Sequence, residues 1–425
     1  AVRTLSGVAI ITVLTKLFPC PGKCVYCPDE KQMPKSYISD EPAAARALML
    51  KFDPYEQVKQ RIISLEENGH PTDKIELIVK GGTWNAYPLD YQYWFVGRCF
   101  EAANETNIKE RKKTVTELKK YLNKIQIKNE VAKHRIIGLT LETRPDFINE
   151  QTIKVMRELG CTRVELGVQT IDDKTLKLIK RGHNSQAVKN ATKLLKDYGF
   201  KVDFHLMPQL PGSTPAKDLE MMLKIFSNQD YRPDMIKIYP CTVVKNSELY
   251  NWLKKGKYKP YNGKKLKEVI KKFKIKVPRY VRISRLIRDI PGHHVEAGNK
   301  VTNLRQVIQA EMKKEGTKCN CLRCREIGHQ VSSIKYQVLD TAIFIEEYAA
   351  SDGKEYFLSF EDKERNIIYA FCRLRLSSSR GKYPAFIREL HTYGQLVGIG
   401  QEGKKDSQHK GMGKKLLAEA EKICR

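Results

Sequence analysis

The sequence predicts an α/β fold, a barrel or partial barrel of βα units, followed by a smaller α+β domain. Three observations carry that expectation. Over the first two thirds of the 425 residues, strand-like runs alternate with helical patterns. Those runs read as continuously apolar, as do the strands of a parallel sheet covered by helices. From about residue 336 the pattern changes to long strand-like stretches with no helix between them.

The first run is VAIITVL (8–14). It is followed by KIELIVK (74–80), RIIGLTLE (135–142), RVELGVQ (163–169), KVDFHLMP (201–208) and MIKIYP (235–240). Between them lie PYEQVKQRIISLEEN, QTIKVMRELG, SQAVKNATKLLKDYG and AKDLEMMLKIFSN. Several of these close on Gly, which accepts the left-handed backbone that ends helices. Repeated βα units of this kind build a TIM-type barrel or part of one, expected over residues 1–280. Residues 281–335 are basic, without clear periodicity, and contain HH and CNCLRC, so they read as a connector with a cysteine-rich metal site. The second domain, 336–425, runs through YQVLDTAIFIEEYAA, EYFLSFEDKERNIIYAFCRLRL and AFIRELHTYGQLV. It ends on QHKGMGKKLLAEAEKI, a loop feeding an amphipathic helix, and SSSRGKY reads as an exposed loop.

Composition bounds the function. There are 77 Lys and Arg against 49 Asp and Glu, a net charge of +28. Such an excess attracts polyanions, nucleic acid above all. The alternative is charge solvated over every face of a lysine-rich protein. No apolar run reaches the roughly eighteen residues that a membrane span needs. The opening AVRTLSGVAIITVLTK is too weakly apolar for a signal peptide and no small-residue cleavage site follows. A cytoplasmic protein is expected, and a chain that opens without Met is expected to lack its true N-terminus. Eleven cysteines without a secretion signal argue for thiolate ligands over disulfides. Six of them fall in two tight groups, Cys20/Cys24/Cys27 and Cys319/Cys321/Cys324.

The first group follows the first strand, where the loops of such barrels build active sites. A zinc knuckle completes itself with a fourth Cys or His nearby, and none is close. A four-iron cluster needs four iron ligands, so three thiolates leave one iron open. The spacing C-x3-C-x2-C, with Tyr26 before the last cysteine, resembles the signature of the radical S-adenosylmethionine superfamily. That resemblance implies a [4Fe-4S] cluster on Cys20, Cys24 and Cys27 whose open iron chelates S-adenosylmethionine and cleaves it to a 5′-deoxyadenosyl radical. A structural cluster or a zinc site is the alternative.

Other strand ends offer polar groups to the same place. Gly81 and Gly82 in VKGGTW let backbone approach a ligand, and the superfamily uses such a pair near the amino group of S-adenosylmethionine. Its usual acidic residue after the pair is Thr83 here. LETRPD supplies Glu142 and Arg144, LGVQT supplies Gln169, and FHLMPQLPG supplies His205 and Pro208. IKIYP supplies Lys237 and Tyr239, the candidate catalytic pair. Taken singly, each is as readily a helix cap or a satisfied core polar group. As a set at strand ends, they read as a ligand site.

The second domain carries Gln408, His409, Lys410, Gly411, Met412 and Gly413 before its helix. Glycines at a helix N-terminus turn successive N–H groups toward an anion. The segment resembles the Q/R-x-x-G-x-G/A motif of GNAT acetyltransferases, which implies that it cradles the pyrophosphate of acetyl-CoA. A complete GNAT fold continues for several more elements, so this domain is expected to be C-terminally truncated. Cys319, Cys321 and Cys324 read as a structural zinc site bracing the domain junction, with His293, His294 and His329 as candidate fourth ligands. A second iron–sulfur cluster is the lesser alternative, since no fourth cysteine lies close.

A radical domain joined to a coenzyme A domain resembles the Elongator catalytic-subunit family in its archaeal single-chain form. The resemblance extends over essentially the whole chain, through TKLFPCPGKCVYCP, ETRPD, RGH, RDIP, GNKVTNLRQ, RELHTYG and QHKGMGKKLL. It implies a tRNA-binding enzyme that forms 5-carboxymethyluridine at the wobble position with acetyl-CoA as carbon donor. Neither DNA nor a membrane is an expected partner. Two other readings use fewer of the motifs. One is a protein lysine acetyltransferase with a vestigial radical domain, against which the three intact cysteines speak. The other is a tRNA-binding scaffold.

Overall fold

The computed structural model describes residues 7–108, 114–327, 341–377, 384–393 and 411–425. A seven-stranded parallel sheet runs in sequence order through β1 (Ala9–Leu14), β2 (Lys74–Lys80), β3 (Arg135–Thr143), β4 (Cys161–Gln169), β5 (Lys201–Leu206), β6 (Met235–Ile238) and β7 (Arg282–Arg285). Each strand pairs only with its chain neighbours, so the sheet is an open half-barrel with β1 and β7 at its edges. The six strands expected from the sequence form within a residue or two at most ends. The seventh corrects the expected connector, because RISR is four residues long and only Ile283 is fully apolar and buried.

Helices are set by local chemistry between the strands. Asp53 accepts from the N–H groups of Tyr55 and Glu56 and starts Pro54–Glu67, with Pro at the first helical position. Thr114 and Glu117 form a reciprocal capping box on Val115–Asn129, as Asn149 and Thr152 do on Glu150–Glu158. The helices bury one face on the outside of the sheet, against Ile11, Leu77, Leu139, Val164, Leu166, Phe204 and Ile236. The strands also correct the continuous-apolar reading. In β4 and β5 the apolar residues alternate with Arg163, Glu165, Asp203 and His205, which face the inside of the half-barrel and are buried there.

The second sheet is antiparallel in the order β11-β10-β9-β8, from β8 (Thr341–Ala350), β9 (Gly353–Asp362), β10 (Ile368–Ser377) and β11 (Ala385–Thr392). The C-terminal helix Met412–Cys424 buries Met412, Leu416 and Ala420 against Leu358, Tyr369, Cys372 and Leu374 of this sheet. The loop read as SSSRGKY lies mostly outside the described residues. Among the described residues no helix is long and apolar enough to cross a membrane.

The second sheet docks on the N-terminal ends of β4 to β7 through buried ions. Arg388 grips Asp234 at 2.6 and 2.7 Å and also bonds Glu355 and the Phe200 carbonyl. Arg375 bonds Asp197 at 2.6 Å, Arg373 bonds the Tyr280 carbonyl at 2.7 Å, and Lys201 reaches Glu389 at 3.4 Å. Apart from the Arg388–Glu355 pair, which ties β11 to β9, each joins a β10 or β11 residue to the half-barrel, so the two sheets share one buried electrostatic seam.

Candidate active site

A cavity of about 980 Å³ occupies the inside of the half-barrel. At the C-terminal strand ends it is lined by Cys20, Cys24, Cys27, Gly82, Thr83, Glu142, Arg144, Gln169 and Arg181. Its depth is lined by Lys80, His205, Lys237 and Tyr239, and its far end by Phe371, Arg373, Glu389, His391 and Tyr393 of the second sheet. The cavity therefore extends from the cysteine loop to β10 and β11.

The cysteine loop is held by backbone bonds. Val25 N–H donates to the Ile179 carbonyl, its own carbonyl accepts from Leu249, and Cys27 N–H bonds the Cys24 carbonyl. Arg181 Nη1 lies 3.4 Å from Cys24 Sγ and also bonds the Gly167 carbonyl at the end of β4. The Cys27 thiol, donating to Cys24, and Arg181 bring Cys24 down to about 4 against the opposing effect of burial. Cys27 is pushed well up as the proton-holding partner. A Cβ on Gly22 would stand 3.6 Å from both Cys20 Sγ and Cys24 Sγ and would collide with Arg144 Nη1. These are the marks of a cluster cradle: a favoured thiolate, a cation beside it, and a glycine between thiols that leaves Arg144 room to approach them. The residues fit a [4Fe-4S] cluster. Single-ion spacing of the kind found at Cys319/Cys321/Cys324 is not found for this triplet.

The rest of the wall fits S-adenosylmethionine. Gly81 has φ +141°, and a Cβ there would run into the Thr15 hydroxyl, so β2 can end in this way only on glycine. Gln169, at φ +68°, has a buried Oε1 without a hydrogen-bond partner, and Arg144 has a buried Nη1 in the same condition. Arg144 is aimed by a two-point bond to Asp146 at 2.9 and 2.7 Å. Such orphaned donors and acceptors in a cavity are those that a polar ligand would satisfy. Glu142 takes a 2.7 Å bond from Tyr37 and lies 3.2 Å from Lys80. Burial raises its carboxyl, but Lys80 and His205 outweigh this and leave it below the ordinary range.

Below them lies a charged network that the sequence reading missed. Glu165 on β4 contacts Lys80, Lys237 (2.5 Å) and His205 (2.9 Å). Despite complete burial the two lysines, together with the hydrogen bond from His205, hold its carboxyl well below the usual range. Burial brings Lys237 down to about 8, with Glu165 opposing. Asp203, beside Glu165 in register, has two buried carboxyl oxygens without hydrogen-bond partners, and burial pushes it up to about 7. The Tyr239 ring meets His205 edge-on at 5.3 Å. Alternation along RVELGVQ and KVDFHL was the available signal for Glu165 and Asp203.

The structure thus gathers Glu142, Arg144, Gln169, His205, Lys237, Tyr239 and the N-terminal cysteines around one cavity, with Gly81 just behind its wall. Gly411 and Gly413 lie apart from it at the start of the last helix. Gly411 has φ +75° and open space where a Cβ would stand. The Met412 side chain is an anchor of the second core, which leaves its backbone to meet a ligand. Gln408, His409 and Lys410 lie outside the described residues.

Cys319, Cys321 and Cys324 bring their sulfurs within 4.8 Å of one another. Lys274 Nζ and Gln309 Nε2 each approach Cys324 Sγ at 3.7 Å. Cys321 is fully buried, yet bonds from the Cys319 and Cys324 thiols bring it well below its ordinary value. The expectation that His293 or His294 completes this set is overturned, because both histidines contact Asp40 and form a separate group with it. His329 lies outside the described residues.

Comparison with known proteins agrees with this geometry. The Radical SAM superfamily matches residues 19–225, and the Radical SAM C-terminal domain matches 233–314. The tRNA uridine(34) acetyltransferase of Methanocaldococcus jannaschii is 44% identical, over 100% of this chain and 79% of that protein. The Dehalococcoides mccartyi protein of the same name is 42% identical, over 100% and 91%. Human Elongator complex protein 3 is 35% identical, over 100% and 79%. The solved structure of Methanocaldococcus infernus Elp3, lacking its N-terminus, aligns with a TM-score of 0.82 at 41% identity, covering 98% of this chain and 91% of that one.

Proposed function

Because this chain belongs to the family of the tRNA uridine(34) acetyltransferases and Elongator complex protein 3, within the radical S-adenosylmethionine superfamily, we propose that it forms 5-carboxymethyluridine at the wobble position of tRNA with acetyl-CoA as carbon donor. One observation supports this reading above the others: a single cavity is lined at one end by the cysteine triplet and at the other by β11. In chain order β11 is the last strand before the helix Met412–Cys424, which Gly411 precedes. A radical made at the first end and an acetyl group presented from the second have a common enclosed space in which to meet.

Bound cluster and S-adenosylmethionine would supply a 5′-deoxyadenosyl radical able to take a hydrogen from the acetyl methyl group, so that this carbon could bond to C5 of uracil. Restoring the pyrimidine double bond would release the C5 proton and one electron, the latter to the cluster oxidised in the cleavage, and water would cleave the thioester to free coenzyme A and the carboxymethyl group. The chain's own part is positioning and proton traffic. Gly81, Gly82, Glu142, Arg144, Gln169 and His205 are the candidate holders of S-adenosylmethionine. Lys237 is the candidate proton carrier, since burial places its ammonium near neutrality at about 8. Tyr239, stacked edge-on to His205, is its candidate partner at the same wall. Gly411 and Gly413, with Gln408, His409, Lys410 and the Met412 backbone, are the candidate cradle of the acetyl-CoA pyrophosphate. Zinc on Cys319, Cys321 and Cys324 would brace the junction: Arg282 beside this site bonds Glu326 at 2.6 Å and the Tyr393 hydroxyl at 3.0 Å. The net charge of +28 supplies the attraction for tRNA, and a cytoplasmic setting suits that substrate.

The test is anaerobic reconstitution with iron and sulfide, then incubation with tRNA, S-adenosylmethionine and acetyl-CoA labelled in the methyl carbon. Label on uridine as carboxymethyl is the expected result. Label on protein lysine with none on RNA would replace this reading by the acetyltransferase one.

A further inference from the structure

The segment that follows the cysteine triplet is tied to the chain ahead of Leu304–Lys314 at two places. Arg288 holds the Ser36 carbonyl at 2.5 Å, the Ser36 hydroxyl at 3.0 Å and Glu41 at 2.6 Å. A few residues on, the 3₁₀ turn Gly292–His294 points two imidazoles at one carboxylate. His293 Nε2 lies 3.3 Å and His294 Nε2 2.8 Å from the same oxygen, Oδ2 of Asp40. The two rings stand 4.3 Å apart, centre to centre. One ligand atom from each of the three residues lies within 4.8 Å of the other two.

A carboxylate oxygen can accept from two imidazoles. The convergence of two adjacent imidazoles on one oxygen is also the arrangement that a shared ion needs. An ion about 2.0–2.1 Å from each ligand atom sets neighbouring ligand atoms about 2.8–3.4 Å apart, from right-angled to tetrahedral geometry. Both Asp40 edges fall in that range. We propose that Asp40, His293 and His294 bind a divalent transition-metal ion, with water in the remaining positions. Two imidazoles and one carboxylate suit zinc, nickel or cobalt, and offer too little oxygen for calcium or magnesium. The side chains are 53%, 69% and 33% exposed, so ion and water reach them freely.

The ion would act as a strap. The segment it fixes presents Lys35, Ser36, Tyr37 and Glu41 to the cavity, and Tyr37 bonds Glu142 within it. The two strapped positions are about 250 residues apart in the chain, so one ion closes a long loop across the cavity mouth. This site stands on its own geometry and does not depend on the proposed reaction.

The experiment uses untagged full-length protein with its iron cluster reconstituted and its remaining thiol site filled with zinc. Equilibrium dialysis against cobalt(II) and nickel(II) counts further bound ion, and cobalt absorption reports the ligand type. One further equivalent is expected, with an absorption spectrum lacking thiolate charge-transfer bands. Asp40→Ala and the pair His293→Ala/His294→Ala should each lower affinity at least tenfold while iron and zinc contents hold. Hydrogen exchange across residues 29–41 should slow when the ion is added to the wild type, and not in either variant. No further equivalent, equal binding by the variants, or a thiolate band on the added cobalt would each overturn the proposal.

Discussion

Replacing Arg388 with Met should loosen the seam between the two sheets and separate the two halves of the reaction. All five guanidinium donors are engaged: two on Asp234, two on Glu355 and one on the Phe200 carbonyl. Neither Arg388 nor its two acidic partners is appreciably exposed. Removing one partner of a buried pair costs about 3–5 kcal/mol, because the other charge stays buried. Here the loss is cushioned. Asp234 keeps the Val202 N–H at 2.9 Å and Arg373 at 3.7 Å, while Glu355 keeps Arg375 at 3.1 Å and Lys196 at 3.4 Å. A cost of about 3 kcal/mol is therefore expected, at the lower end of that range. Adding Asp234→Asn should give back part of it, since the two changes share one interaction. The assay is urea unfolding followed by fluorescence and circular dichroism. Trp84, Trp94 and Trp252 all precede the second sheet, so fluorescence reads the half-barrel alone. The variant should show a dichroism change that precedes the fluorescence change. Arg388 holds Asp234 well below the usual carboxylate range against the effect of burial. A depressed carboxyl contributes stability above its unfolded value and loses it as pH falls toward the folded one, so the gap between wild type and variant should begin to narrow below about pH 4 and go on narrowing with further acid. Formation of 5′-deoxyadenosine should persist while carboxymethyluridine falls. A stability change under about 0.5 kcal/mol, with both products unchanged, would refute the seam as the coupling element.

Four further outcomes are expected. Cys24→Ala should remove iron and abolish 5′-deoxyadenosine formation, while binding of tRNA in low salt stays within twofold; iron analysis and a filter-binding assay check this. Cys321→Ser should lower zinc content and melting temperature with iron unchanged, since zinc binding in such sites is folding energy. Glu165→Gln should cost about 3–5 kcal/mol in urea unfolding, because Lys80, Lys237 and His205 lose the anion they share. Gly411→Glu should eliminate acetyl-derived label on uridine with iron intact, because its φ of +75° disfavours a side chain and a carboxylate there repels pyrophosphate.

What the sequence disclosed follows from how strongly each feature depends on near neighbours in the chain. Cys20, Cys24 and Cys27 lie within eight residues, so their spacing alone placed them after β1. The strands from β1 to β6 were legible because each apolar run ends at a polar motif that cannot continue it. β7 was not, since RISR is carried by pairing with β6 and not by its own composition. The interior charges were hidden for a different reason. Arg163, Glu165 and Asp203 are residue types that normally mark solvent, and only the half-barrel's curvature turns their strand face inward onto one another. The histidines failed through distance: His293 and His294 stand 25 and more residues before Cys319 in the chain, and no spacing rule could pair them with Asp40 instead.

The buried charges and the surface excess are parts of one electrostatic arrangement. Inside the half-barrel, Lys80, Arg163 and Lys237 face Glu76, Glu142 and Glu165 at contact distance. Asp203 would add a fourth negative charge, but burial pushes it up to about 7, so that near neutrality about half of it keeps its proton. His205, lowered first by burial, tends to the neutral imidazole. Within this network the three cations come close to balancing the anions, as a low-dielectric interior requires when unpaired ions are costly to bury. Around this network the cavity wall is positive, with fifteen Lys and Arg, Arg144, Arg181, Arg285 and Arg288 among them, against six Asp and Glu, so part of the chain's excess charge faces the cavity itself. A positive wall favours anionic ligands as a class, and hydrogen-bond geometry selects among them. Charge then sets how often an anion arrives, and orphaned atoms such as Gln169 Oε1 and Arg144 Nη1 set what is held once inside.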